Sequence, residues 1–254
     1  MKKTLLLILL FIAIALGAFF SIRNSAKFDI PLDEEIVVET ETQPDIDTTT
    51  IEYEVADTPE KATIKLDVPF STQAPFGEWS DLRQQNGCEE VAAIMAMYWV
   101  NDAKLISFAA RKEIMNISDW EEANYGYYQD TSAKDTVSRI FNTYYKYFSA
   151  EVVNDIKIQD IINQLEKGNL VIVPANGQKL NNPYFTAPGP EYHMIVVTGY
   201  DYGSHEFIVN DSGTKHGKDY RYKEAVLFNA IRDYSSGNHE PVVGEEKNMI
   251  IVSK

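Results

Sequence analysis

The stretch Gln84-Gln85-Asn86-Gly87-Cys88-Glu89-Glu90-Val91-Ala92-Ala93-Ile94-Met95-Ala96-Met97-Tyr98-Trp99-Val100 decides how the chain is read. A polar turn containing Gly87 becomes an apolar helix, and the only cysteine of the protein falls at the change. Asn86 is a good N-cap, and Glu89 three residues on completes a capping-box-like pattern, so the spacing predicts a helix from here to about Asn101. Apolar residues nearly all round mark that helix as buried. A thiol at a helix N-terminus lies among unpaired backbone N–H groups at the positive end of the dipole, a setting that favours thiolate and makes a nucleophile. The alternative is that Cys88 is a small buried core residue.

Upstream, Ile64-Lys65-Leu66-Asp67-Val68-Pro69-Phe70 alternates and ends at a proline, as an opening strand does, and residues 71–85 read as a loop. Downstream, helical patterns cover residues 107–115, 131–147 and 156–167, the last capped by Asp155 and stopped by Gly168. After Gly168 the period changes. Leu170–Val173, His193–Tyr200, Glu206–Asn210 and Met249–Val252 are short apolar strands, separated by a long Asn/Pro/Gly loop at 175–191 and a polar Gly loop at 211–219. Helices come first and strands afterwards. The predicted class is therefore α+β, with N-terminal helices packed on a mainly antiparallel sheet.

Charge divides the chain further. The net charge of −15 argues against nucleic acid, whose phosphates want a basic surface. Twelve acidic and only two basic residues fall in 27–62, with Pro31, Pro44 and Pro59 scattered among them. Such a segment buries too little to offset its ordering entropy, so 27–63 reads as an acidic disordered stalk, about 30 Å long as a flexible coil. Within it, Ile51–Val55 alternates as a short strand would. Before it, Lys2 and Lys3 precede an uncharged run from Thr4 to Ile22, long enough to span a bilayer. Residues 1–26 are expected to form an uncleaved signal-anchor, one transmembrane helix, rather than a cleaved signal peptide, with the remainder outside the cytoplasm at the cell membrane. The globular domain is then 64–254.

A hairpin turning at Tyr202-Gly203 places His193 opposite about Ser212, beside Asp211. Cross-strand neighbours stand about 5 Å apart at Cβ, so imidazole and carboxylate can bond and the Asp can fix the ring. The alternative is a surface histidine near a turn aspartate. His205, His216 and His239 fall in turns or polar loops and read as solvated. A single cysteine rules out a disulfide framework and a Cys-rich zinc site, and no HExxH, GxGxxG or Walker-type loop is present, so neither cofactor nor metal is expected.

Val68-Pro-Phe-Ser-Thr-Gln73, then Gly87-Cys88-Glu89 with its apolar helix, then Gly168-Asn-Leu-Val-Ile-Val173, Tyr192-His193 and Phe207-Ile-Val-Asn-Asp211 form an ordered set. It resembles the papain-like cysteine peptidases of the bacteriocin-leader (double-glycine) peptidase-like family. The resemblance implies a papain-like fold, Cys88 as nucleophile, His193 as general base and acid, Asp211 as orienter and a glutamine before the cysteine as oxyanion donor. Gln73 has the expected preceding residues but stands fifteen positions before Cys88; Gln84 and Gln85 are nearer at the wrong offsets, and Gln73 is preferred. Ser212 replaces a proline common in that family, and Asn210 is a fallback orienter that strand alternation points to the opposite face.

The resulting expectation is a membrane-anchored, extracytoplasmic cysteine peptidase acting on a peptide or protein through a thioester. The alternatives are a non-catalytic papain-like module that binds peptide or cell-surface polymer, and a thiol acyl transferase. Glu89 and Glu90 oppose thiolate formation, and the helix end with His193 prevails if those carboxylates point outward. The 175–191 loop is a candidate wall of the substrate cleft.

Overall fold

The computed structural model describes residues 61–254 apart from Asn238 and Val243. The expected membrane segment, most of the stalk and the 51–55 strand lie outside the described residues. In chain order the elements are β1 (Ile64–Lys65), α1 (Leu82–Gln85), α2 (Cys88–Val100), α3 (Ser107–Tyr125), α4 (Ala133–Asp135) continuing as a π-helical segment (Thr136–Tyr144), β2 (Ala150–Val153), α5 (Ile158–Glu166) and β3 (Leu170–Ala175). A 3-10 turn (Gly177–Leu180), β4 (His193–Asp201), β5 (Glu206–Asn210), β6 (Tyr220–Lys223), α6 (Glu224–Ala230) and β7 (Met249–Val252) follow. Among the described residues no helix is long and apolar enough to cross a membrane.

The sheet runs β2-β7-β3-β4-β5-β6 with every pairing antiparallel, and β1 pairs with Gly199 and Tyr200 of β4. The fold is α+β, as the helix-then-strand order predicts. The sheet is nonetheless covered on both faces. Leu170, Ile172, Met194, Val196, Ile250 and Val252 pack with α2, α3 and the π segment in one core. Val171, Val173, Ile195, Val197, Phe207, Val209 and Ile251 pack with α5 and α6 in the other. Two buried faces explain why these strands are unbroken apolar runs instead of alternating ones.

The helix of the opening stretch is buried as its composition requires: Val91, Ala92, Ala93, Ile94 and Ala96 have no exposed surface. Its start differs from the expected cap. Asn86 closes α1, its N–H donating to the Leu82 carbonyl, and Gly87 is the N-cap of α2 with no side-chain bond. A glycine is needed there because a Cβ would lie 2.5 Å from the Arg83 carbonyl oxygen of α1. The sequence pattern missed α1, and α1 takes the residue that would have capped α2.

α3 extends ten residues past its predicted end, to a left-handed cap at Gly126. Its buried stripe is Ala110, Ile114, Ile117, Ser118 and Glu121, so two polar residues occupy core positions and mask the helical period. α5 begins after Lys157, with Asp160 accepting from the Lys157 N–H, and not after Asp155. β2, β6 and α6, which the pattern also missed, complete the sheet edges and close the second core.

Candidate active site

β4 opens with His193, and β5 ends one residue before Asp211. The β4–β5 register carries a bulge between Val197 and Gly199, which shifts the facing pairs by one or two positions from the simple hairpin expectation. The expected pair nonetheless forms. The His193 Nε2–H donates to Asp211 Oδ1 at 2.9 Å, with both side chains buried. Three further donors hold the carboxylate: the Gly213 N–H at 3.1 Å on Oδ1, and the Tyr222 hydroxyl at 2.7 Å and the Asn182 amide at 3.2 Å on Oδ2. Burial disfavours the charge on Asp211, but the His193 charge, its hydrogen bond and that of Tyr222 outweigh it, so the carboxyl stays below its usual range.

The 211–219 loop folds tightly back on this aspartate. The Asp211 N–H donates to the Gly217 carbonyl at 2.9 Å, and a Cβ at Gly217 would lie 1.7 Å from the Asp211 oxygen. Only glycine fits. With Nε2 committed to Asp211, Nδ1 is the ring nitrogen left to exchange a proton. Phe185 packs edge-on against the imidazole at 5.5 Å.

One cleft of about 660 Å³ is shared by Cys88, His193 and Gln73. Gln73 is held from three sides. Its N–H donates to the Ser212 carbonyl at 3.1 Å, its Oε1 accepts from the Ser212 hydroxyl at 3.5 Å, and its Nε2 donates to the Gln85 carbonyl at 2.6 Å. The serine that departs from the resembled pattern thus tethers the glutamine. One amide hydrogen of Gln73 remains uncommitted. Gln85 also lines the cleft but is exposed, while Gln84 is fully buried, away from it, with Glu78 as its partner at 3.4 Å. Asn210 faces the other way, donating to the Val68 carbonyl at 3.2 Å.

The expectation for the neighbours of Cys88 is overturned. Glu89 and Glu90 do not point outward; both are buried, because α2 is covered by α3 and by the segment after α6. The Cys88 thiol donates to Glu89 Oε2 at 3.0 Å, and the Tyr234 hydroxyl donates to Oε1 at 2.6 Å. Burial, then the adjacent Glu89, pushes the Cys88 thiol well above its usual value, so the helix dipole does not prevail. Burial likewise raises Glu89 to about 7 against the bonds it accepts, and raises Glu90 with help from Glu121 and Glu89.

The remaining histidines separate. His205 bonds the Tyr200 hydroxyl in the hairpin turn and His216 stacks on Tyr184, both away from the pair. His239 is exposed, as expected of a loop histidine, yet it stands on the cleft wall with Nδ1 2.7 Å from Asp130. Phe185, Thr186, Pro190 and Glu191 of the long loop line the cleft, as does Trp79 of the 71–85 segment. Sequence reasoning missed Asn182, Tyr222, Tyr234 and Asp130. Tyr220-Arg-Tyr-Lys223 alternates and carried a strand signal; Asn182 and Tyr234 carried none. Among the described residues no group of three or more His, Cys, Asp or Glu could hold a metal ion.

A family model described as the Peptidase_C39 like family matches residues 65–236, from β1 to just beyond Tyr234. The chain belongs to the Peptidase_C39-like family. That membership, with the α+β fold and its antiparallel sheet, supports a papain-like peptidase in general and implies a peptide or protein substrate. A crystal structure from Bacillus anthracis, assigned there as a C39-like peptidase, aligns with 76% of this chain and 99% of its own at 13% identity and a TM-score of 0.47. No curated protein matches the chain.

Proposed function

We propose that this Peptidase_C39-like chain is a cysteine peptidase that hydrolyses peptide bonds through Cys88, His193 and Asp211. The observation that carries the proposal is the buried His193–Asp211 pair at 2.9 Å, sharing one cleft with Cys88 and with an amide of Gln73. Cys88 gives its proton to His193 Nδ1 and the thiolate attacks the carbonyl. The developing oxyanion takes hydrogen bonds from the Cys88 N–H, at the first turn of α2, and from Gln73. The imidazolium, held in place by Asp211, protonates the leaving amine, and water then cleaves the thioester.

Cys88→Ala and the wild type on a peptide library provide the test. Loss of cleavage in Cys88→Ala and in His193→Ala is expected; cleavage retained by Cys88→Ala overturns the assignment. The extracytoplasmic, membrane-held location belongs to the same proposal and rests on residues 1–26 alone. Fractionation of cells carrying a C-terminal tag, with protease added outside, tests it; a tag shielded in intact cells overturns it.

A second reading has one specific observation in its favour. The Cys88 thiol is bonded to Glu89, and burial disfavours its thiolate, as suits an inert thiol in a peptide-binding module. Absence of labelling by a thiol probe together with peptide binding in the cleft would select it.

A further inference from the structure

Glu89 is adjacent to Cys88 on α2, and neighbouring residues of a helix do not ordinarily face each other. Their hydrogen bond is fixed from outside the helix. Tyr234, 145 positions later, clamps Oε1 and leaves Oε2 aimed at the thiol. The clamp is itself walled in. Tyr234 is buried and packs edge-on against Tyr192 at 5.4 Å, and Tyr192 both precedes His193 and lines the cleft. A carboxylate buried at this cost and bonded to the one cysteine is not explained by packing.

We propose that Glu89 is a positioning residue that holds the Cys88 thiol in a latent state, its hydrogen bond having to open before the sulfur can serve as the nucleophile. The inference rests on the reading of Cys88 as nucleophile and adds the control on it. In the latent state the thiol proton lies toward Glu89. Activation turns that proton to His193 Nδ1, leaving sulfur as thiolate, with no other bond made or broken.

The charges around the pair disfavour a negative sulfur: Glu90 on α2 and Asp130 before α4 both act against the thiolate. Asp130 also acts against the charge on Glu89, while Glu121 on α3 acts on Glu90 and Asp233 on Tyr234. Arg139 acts on Glu121, and His239 is paired with Asp130. An ionised Glu89 accepts the thiol hydrogen and repels a thiolate, whereas a protonated or amide side chain can donate to one.

The test is alkylation of Cys88, the only thiol in the chain, by iodoacetamide across pH 5 to 10, with mass readout on the full chain. Wild type, Glu89→Gln and Tyr234→Phe are compared, each with a melting curve. Glu89→Gln is expected to alkylate roughly tenfold faster at pH 7 and to shift the profile to lower pH. Tyr234→Phe is expected to move it in the same direction by less. An unchanged or slower profile in a folded Glu89→Gln overturns the proposal. Should that variant fail to fold, an unchanged profile in Tyr234→Phe overturns it. Alkylation does not require turnover, so a faster Glu89→Gln alongside peptide cleavage retained by Cys88→Ala would refute Cys88 as the nucleophile of the peptidase while leaving the restraint of its thiol by Glu89 standing.

Discussion

Replacing Glu121 by Gln tests the account of the buried acids packed against α2, the helix that begins at Cys88. Glu121 has no exposed surface, and neither carboxylate oxygen has a hydrogen-bond partner among the described residues; Thr131 lies near enough to favour its charge slightly, without bonding geometry. Burial, then the charge of Glu89, lifts its carboxyl from the ordinary 4.5 to about 8. A carboxyl raised in the folded state costs nothing below its unfolded value. Stability is lost as pH rises above that value, and the loss levels off once pH passes the folded value. At about 1.36 kcal/mol per tenfold change in proton affinity, the cost between pH 5 and pH 9 would be about 4 kcal/mol for an isolated group. Glu89 and Glu90 titrate against the same field, so about 2 kcal/mol is expected. A buried amide carries its own desolvation cost, but that cost does not depend on pH and cancels in the comparison. Urea unfolding of wild type and Glu121→Gln at pH 5 and pH 9 gives the answer. The variant should gain about 2 kcal/mol on the wild type between the two pH values. Parallel stability curves would refute the burial argument for this cluster.

Asp211→Asn keeps the shape of the side chain but offers His193 an amide in place of a carboxylate, so kcat should fall roughly 10³-fold or more with KM little changed, as steady-state kinetics on a cleaved peptide will read. Gln73→Ala removes the uncommitted amide hydrogen from the cleft that Cys88 also lines and should lower kcat by about 10²-fold without altering Cys88 alkylation. Gln85→Ala, which takes away only an exposed side chain, should stay within about twofold; equal losses in the two glutamine variants would sink the assignment of the oxyanion donor.

The sequence by itself determined the class of fold and the pairing of His193 with Asp211. Period and composition marked α2 as a fully buried helix, placed β5 and β7 at their observed ends, and paired His193 with Asp211 across a hairpin of short turn. These are local properties, set by side-chain spacing within one element or between two joined by a few residues. Strand alternation likewise turned Asn210 away from Asp211. Tertiary structure decided what long-range packing supplies. α1 took Asn86 from α2, and polar Ser118 and Glu121 filled core positions that hid half of α3. Tyr222 and Asn182 came from separate segments to satisfy the carboxylate of Asp211. The state of Cys88 was settled in the same way. A helix start favours thiolate, but the orientation of Glu89 depends on a tyrosine 145 residues away, and burial of the thiol, with that carboxyl group 3.0 Å from the sulfur, outweighs a helix dipole.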